Sequence, residues 1–455
     1  MDVTFIILGA TGDLNKRKLI PAIYNLIESG RVKKIAFVGL SRSKVTIEKI
    51  LAGAHECMGK VDRKAWNTLK KSSYYIPFDL YEEDNYDQLK DFLEKIEQKH
   101  ALSGNRIFYL ATLPQHFDTV TKNLAEKKLT KTKGYARVVY EKPFGHDLKS
   151  AKKINQCINR VFSEDQVYRI DHYLGKELVG NIALMRFTNR ILEPQWNAEH
   201  LESVQIIMEE KLLVGSRGKF YDSNGVLNDV VQNHALQLLA LTAMEPPKLL
   251  TGNYIRDAKA EVLKHIKIDS VFLGQYEGYL QEEGVEKNST TETFATLKLS
   301  LDNPRWSGVP FFIKAGKGLD KNEVSIHLKF KPVECLLSEA CPADTNYLTM
   351  NIQPKAGFEI ELNTKVPFKK NIVKPVIMSF SHENYFPKSP EAYENLLWDV
   401  MNGDQSVFVR NDEIEAAWKL IGSIKHNKVY QYPIGSKGPK ELISWNKKHG
   451  INWRV

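Results

Sequence analysis

The stretch RIDHYLGKE, residues 169–177, gathers Asp171, His172, Tyr173 and Lys176 within six positions. A neutral imidazole, with an ordinary pKa of about 6.5, can accept a proton near neutral pH. A carboxylate on its second ring nitrogen would fix the tautomer and stabilise the imidazolium. The same imidazole N–H, phenol and ammonium are also the donors a phosphate needs. A second polar group lies in GVLNDVVQNHALQLLAL, where Asp229 and Asn233 are four apart on one helical face, with His234 beside them. Leu227, Val230, Val231, Leu236 and Leu239 would bury that helix. A hydrogen-bonded core network is the competing account, because an unpaired buried polar group costs about 1–3 kcal/mol. Spacing alone leaves both His172 and His234 open as a general base.

A third motif, GATGDLNKRKL (residues 9–19), stands between an apolar strand and a helix. Glycines at such a turn let the backbone approach a pyrophosphate, which free N–H groups at the helix N-terminus then stabilise. The spacing is Gly9-x-x-Gly12-x-x-Asn15 rather than G-x-G-x-x-G, so a plain tight turn is the competing account. The loop residues Gly9, Ala10, Thr11, Gly12, Asp13 and Leu14 are the candidate dinucleotide contacts. A site for NAD usually carries Asp or Glu at the end of the second strand, where it bonds the ribose 2′-hydroxyl. This chain has Ser41 and Arg42 there, in VGLSRSK, and no acid. A guanidinium at that point suits a 2′-phosphate, which favours NADP.

These groups need elements to hold them. In the first third, VTFIILGA, KKIAFVGL, NRIFYLAT and ARVVYEKP read as strands, alternating with helical stretches such as NYDQLKDFLEKIEQKH. Strands rich in Val, Ile and Phe between helices predict a doubly wound, Rossmann-type parallel sheet, α/β in class. After about residue 200 the pattern changes. FATLKLSL, EVSIHLKF and GFEIELNT alternate with period two, as half-exposed antiparallel strands do, with Val324, Ile326, Leu328 and Phe330 on one face. A larger α+β domain with a mainly antiparallel sheet follows. The expected division is 1–175 and 176–455, with no internal repeat or low-complexity linker.

Composition limits the function classes. The 455 residues carry 64 Lys+Arg against 55 Asp+Glu, a net charge of +9, but the basic residues are dispersed among acids. Clustering, not net charge, marks a nucleic-acid binder, so phosphorylated small molecules are the expected partners. No run approaches the ~20 apolar residues of a membrane span. The apolar N-terminus lacks a basic region and a cleavage site, so it reads as a buried strand and not a signal peptide. Cys57, Cys157, Cys335 and Cys341 show no C-x-x-C spacing and read as reduced thiols of a cytoplasmic protein, with no metal-ligand cluster. The sequon at Asn288 reads as chance without a secretion signal.

GATGDLNKRKL, VVYEKPFG, RIDHYLGKE, NGVLNDVVQNH, NPRWSGVPFFIKAGKGL and PEAYENLLWDVMNGDQSVFVRNDE occur in order along the chain. Together they resemble the glucose-6-phosphate dehydrogenase family over nearly the whole length. That resemblance implies oxidation of the C1 hydroxyl of glucose 6-phosphate to the lactone, with NADP as hydride acceptor. It implies His234 as the base and Asp171 as the carboxylate that orients it. His172, Tyr173 and Lys176 would then hold the sugar phosphate. Lys142 would lie between nicotinamide and sugar, and Glu210 and Asp229 would bond sugar hydroxyls. Lys317, Lys321 and Lys18 would be further substrate lysines, and Pro143 would couple the two domains. A homodimer or homotetramer through the second-domain sheet is also implied.

The chain departs from the family pattern at Gly215, where an acid is frequent, and at Lys314, where an Arg is. Asn351 stands where animal members use an Arg for an extra structural NADP. Two other functions compete: the same scaffold acting on a different sugar phosphate, and a catalytically retired NADP-binding paralogue. The intact Asp171, Asp229 and His234 argue against the second.

Overall fold

A computed structural model describes residues 1–334, 345–369, 372–425 and 428–454. Cys335 and Cys341 lie outside the described residues; Cys57 and Cys157 are free thiols. The chain forms two compact units. One comprises Met1–Lys176, Thr251–Arg256 and Pro390–Glu415; the other comprises Glu177–Leu250, Asp257–Ser389 and Ala416–Val455. Among the described residues no helix is long and apolar enough to cross a membrane.

The first unit is built on a six-stranded sheet: β1 (Asp2–Leu8), β2 (Lys34–Ser41), β3 (Ser73–Pro77), β4 (Arg106–Leu110), β5 (Ala136–Tyr140) and β6 (Val167–Arg169). Its order is β3-β2-β1-β4-β5-β6 and every pair is parallel. Continuous apolar runs fit this arrangement because helices cover both faces. Val3, Phe5 and Ile7 of β1 pack in one core cluster with Ile20, Ile23, Leu396 and Leu397. Ile6 and Leu8 pack in the other, with Tyr86, Leu89 and Leu93. The order reverses between β1 and β4, and the crevice at such a switch point, outside the strand C-termini, is where ligands bind.

The second unit carries a nine-stranded sheet from β7 (Leu201–Glu209), β8 (Ile266–Tyr276), β9 (Phe294–Leu301), β10 (Phe311–Gly316), β11 (Glu323–Phe330), β12 (Tyr347–Gln353), β13 (Gly357–Lys365), β14 (Val373–Ser381) and β15 (Val429–Tyr432). The order is β14-β13-β12-β11-β7-β10-β9-β8-β15. Pairing is antiparallel except for β7 with β10 and β8 with β15. Both expected sheet types are therefore present.

Two local readings change. EVSIHLKF was expected to leave one face half exposed, yet Ser325 and His327 of β11 are buried as well as Val324, Ile326 and Leu328. The polar face is buried because its groups satisfy one another. His327 Nε2 meets Ser325 Oγ at 2.8 Å, its Nδ1 meets Thr349 Oγ1 at 2.9 Å, and Ser325 Oγ donates to Glu323 at 2.6 Å. The His327 imidazole, 3.8 Å from Glu323, is the main cause that holds that carboxyl down at about 2, with the Ser325 bond adding to it. The long apolar helix also begins as a π-helical segment, Leu227–Ala235, before the α-helix Leu236–Ala243. Such wide turns recur at functional sites.

Candidate active site

In the first unit, β1 ends at Leu8 and the chain turns at Gly9, whose φ is +99°. A Cβ there would lie 2.3 Å from the Ala111 carbonyl oxygen, so only glycine fits. The N–H groups of Gly9 and Ala10 both donate to the Leu40 carbonyl, at 2.8 and 3.0 Å, which ties the loop to the end of β2. Asn15, fully buried, donates from Nδ2 to the Ala10 carbonyl at 2.6 Å and holds the loop from the helix side. Ala10 sits under Gly39, where a Cβ would come within 2.8 Å of its methyl. The glycine-type loop thus has the close backbone approach that the spacing suggested.

At the end of β2, Thr11 Oγ1 donates to Ser41 Oγ at 3.2 Å, and Ser41 Oγ meets the Tyr75 hydroxyl at 2.7 Å. Tyr75 also donates to the carbonyl of Ser43. These contacts fix the turn that presents Arg42 to a cleft of about 630 Å³. Gly9, Thr11, Leu14, Ser41, Arg42, Lys142 and His172 all line that cleft. Ala10, Gly12 and Asp13 do not. Ala10 is buried behind the loop, and Asp13 forms an exposed pair with Arg17 at 2.7 Å.

The signature follows β6. Asp171 is 2 % exposed and its Oδ1 accepts the Tyr173 N–H at 3.0 Å. The Lys176 ammonium lies 3.9 Å from the Tyr173 ring centroid, a cation–π contact that orients both side chains. Gly175 is the close-approach glycine here: a Cβ would meet the Ala392 carbonyl at 2.7 Å and Leu396 at the same distance. The helix Ala392–Asn402 therefore seats directly on the signature, and Asn395 donates to the Gly175 carbonyl at 3.3 Å. Lys18 pairs with Glu391 at 2.7 Å, just before that helix.

Sequence reasoning missed a second group in the same cleft. Glu141, Tyr393 and His116 line it with the predicted residues. Tyr109 donates to Glu141 Oε1, and Tyr393 donates to the same oxygen at 3.1 Å. Burial pushes the Glu141 carboxyl up, against the two tyrosine bonds that pull it down. His116 is pushed down by burial and by the Arg42 charge, and accepts or donates at 2.8 Å with the Tyr81 hydroxyl. Glu141 precedes Lys142, and Tyr393 lies in PEAYENLLWDV; both stood in quoted motifs, without a pattern of their own to single them out.

In the second unit, the parallel pairing of β7 with β10 sets Glu209 opposite Gly316. The next residues, Glu210 and Lys317, leave the strand ends side by side, and their side chains form an ion pair. Lys317 Nζ also lies 5.7 Å from the ring centroid of buried Tyr221. The charge of Asp229 reaches the same phenol and helps push its pKa up, after burial. Glu210, Lys317 and Asp229 are thus grouped around Tyr221. Lys321 is placed differently, in an ion pair with Glu323 at 3.6 Å. His234, 3 % exposed, lies on the π-helical segment with Asp229; its N–H donates to Asn233 Oδ1 at 2.6 Å.

The cleft fits NADP on the chemistry of its lining: a glycine turn that a Cβ would fill, and Arg42 with no carboxylate at the end of β2. Two family models match the chain: the NAD-binding domain of glucose-6-phosphate dehydrogenase over residues 6–181 and its C-terminal domain over residues 183–454. The chain is 39% identical to a glucose-6-phosphate 1-dehydrogenase of Chlamydia pneumoniae, covering 99% of this chain and 95% of that one. A solved glucose-6-phosphate dehydrogenase in complex with its substrate superposes with a TM-score of 0.93 at 34% identity, covering 100% and 98% of the two chains. The Mycobacterium avium glucose-6-phosphate 1-dehydrogenase gives 0.88 at 33% identity, covering 99% and 98%.

Proposed function

The chain belongs to the glucose-6-phosphate dehydrogenase family, and we infer from its site residues how it performs that family's reaction. It is an NADP-linked oxidoreductase that converts the C1 hydroxyl of glucose 6-phosphate to the 1,5-lactone, the first step of the oxidative pentose phosphate pathway. NADP, when bound, would supply the hydride acceptor. Gly9, Thr11 and Leu14 of the loop, with Ser41 and Arg42, would hold it, with Arg42 suited to the 2′-phosphate. His234 removes the hydroxyl proton as C1 becomes a carbonyl, with Asp171 as its orienting carboxylate. His172, Tyr173 and Lys176 grip the sugar phosphate, with Lys18 nearby; gripping it away from C1 positions the reacting hydroxyl. Lys142, Glu210, Asp229 and Lys317 bond the sugar, and Lys321 is a further substrate lysine.

One observation supports this reading above the rest. Arg42 and the pair Lys142 and His172 line the same cleft, so a nucleotide anchored at the end of β2 leads to the residues assigned to the sugar phosphate. The division at 175/176 puts the NADP groups together with Lys18, Lys142, His172 and Tyr173 on the first part, and Lys176, Glu210, Asp229, His234 and Lys317 on the second. The protein works in the cytoplasm as a homodimer or homotetramer. Exposed Val376, Ile377 and Met378 on edge strand β14 offer an apolar surface for that assembly.

The test is NADPH formation from glucose 6-phosphate by the wild type and by His234→Ala. The variant should keep its melting temperature and lose about 10³-fold or more in kcat, the scale of a lost general base. Full activity in the variant sinks the assignment of the base. Activity on another sugar phosphate alone sinks the substrate.

A further inference from the structure

We propose that Glu292 is a positioning residue for the sugar-binding groups of the second unit, holding the start of the π-helical segment that carries Asp229 and His234. The inference rests on the functional reading above and deepens it. Two helix-start N–H groups, which have no partner within the helix, are taken by this one residue. The Val226 N–H donates to the Glu292 carbonyl at 3.0 Å, and the Leu227 N–H donates to its Oε1 at 3.0 Å. Capping side chains usually come from the residue just before a helix. This one comes from 65 residues away, immediately before β9.

The chain makes room for it. Gly225 has φ +63°, and a Cβ there would lie 2.1 Å from Glu292 Oε1 and 2.6 Å from Cδ. Both the backbone conformation and the space therefore require glycine next to the carboxylate. The neighbouring residue, Thr293, carries the connection onward. Its carbonyl accepts the Lys317 N–H at 2.9 Å, and its hydroxyl meets the Tyr432 hydroxyl at 2.8 Å. Tyr432 in turn donates to the Lys317 carbonyl at 2.6 Å. Glu292 and Thr293 thus bracket the Asp229 helix on one side and the Lys317 turn on the other. Upstream, Asp222 anchors the segment by accepting from Ser289 Oγ at 2.5 Å, from Tyr279 at 2.9 Å and from the Glu286 N–H at 3.1 Å.

The groups facing the carboxylate are the phenols of Tyr221 and Tyr279, both held neutral by burial. Burial raises the Glu292 carboxyl to about 7, the Leu227 N–H pulling it back only in part. Its charge therefore changes near neutral pH, and with it the strength of the cap on the Asp229 helix.

The experiment compares wild type, Glu292→Ala, Glu292→Gln, Gly225→Ala and the double variant Glu292→Ala/Gly225→Ala. It measures initial rates against glucose 6-phosphate, NADP binding and melting temperature. Glu292→Ala should raise the KM for glucose 6-phosphate about tenfold or more, with NADP affinity unchanged. Glu292→Gln keeps an acceptor oxygen for Leu227 and should stay within about threefold of wild type near pH 7, but without the wild type's change in KM between about pH 6 and 8. Gly225→Ala should copy Glu292→Ala, and the double variant should be no worse than either. Unchanged KM in folded Glu292→Ala, or losses that multiply in the double variant, would overturn the role. Where Glu292→Ala fails to fold, the Glu292→Gln pH profile decides, and a profile matching wild type overturns it. Absence of glucose 6-phosphate turnover in the wild type refutes the functional reading instead.

Discussion

The two sheets build their binding groups by opposite means. In the first unit β1, β2 and β4 are buried on both faces, and the loop at their C-terminal ends is set by main chain: a glycine turn whose N–H groups bond the carbonyl at the end of β2. In the second unit β14 is largely exposed and β13 partly so, and the functional groups are side chains: the Glu210–Lys317 pair, Asp229 and His234. A main-chain site tolerates few changes of backbone volume but many of side-chain identity. A side-chain site behaves the other way round. Dinucleotides, whose phosphates can be met by N–H groups, suit the first kind. The several hydroxyls of a hexose suit the second, because each group needs its own partner.

The largest effect should come from adding one carbon to the main-chain site. Gly9→Ala puts a Cβ 2.3 Å from a backbone oxygen at φ +99°, and neither can yield without moving β4 or the loop. We expect NADP binding to fall at least ~100-fold and stability to drop by about 2–4 kcal/mol, read by titration and by denaturant unfolding. Unaltered NADP binding in Gly9→Ala would break the contrast drawn above. Next comes Arg42→Ala, which removes the side chain assigned to the 2′-phosphate. It removes charge-assisted bonds worth about 1.5–3 kcal/mol, so KM for NADP should rise about 10- to 150-fold while NAD turnover stays level. An equal loss with both nucleotides would move Arg42 from the 2′-phosphate to the pyrophosphate or to the loop itself.

Much of the first unit was legible because its determinants are local. A strand, a glycine turn and a helix start are adjacent in sequence, so residues 2–28 specify the cradle almost alone. The absence of an acid after β2 could likewise be read directly, and the structure sets Arg42 at the cleft. What stayed hidden depends on contacts between distant segments. The helix Ala392–Asn402 joins the first unit's core through Leu396 and Leu397, and brings Tyr393 to Glu141, 252 positions apart in the chain. The buried polar face of β11 was hidden for the same reason. Ser325 and His327 read as solvent-facing by period two, and their bonds to each other, to Glu323 and across the strands to Thr349 explain their burial. The π-helical start of the Asp229 helix had no signal in apolar spacing, since its cap comes from Glu292, just ahead of β9.

That distant cap supplies the effect that sharpens the comparison most. The first unit's buried carboxylate Glu97 faces Arg106 at 2.7 Å, so its charge is matched. The Glu292 carboxyl is instead raised by burial from 4.5 to about 7. A raised carboxyl means that the folded state holds its proton more tightly than the unfolded state does. The resulting stability is fully present below pH 4.5 and is lost as pH climbs through 7. Glu292→Gln carries no titrating proton, so its contribution stays level across that window. The stability of Glu292→Gln relative to wild type should therefore increase from pH 5 to pH 8 by about 2–3 kcal/mol, measured as paired urea unfolding curves. Glu97→Gln should show no such gain, because removing its charge leaves Arg106 buried without its partner and destabilises at both pH values. A flat difference for Glu292→Gln would mean that its carboxyl titrates near the ordinary value, and that the second unit's polar framework is insensitive to pH after all.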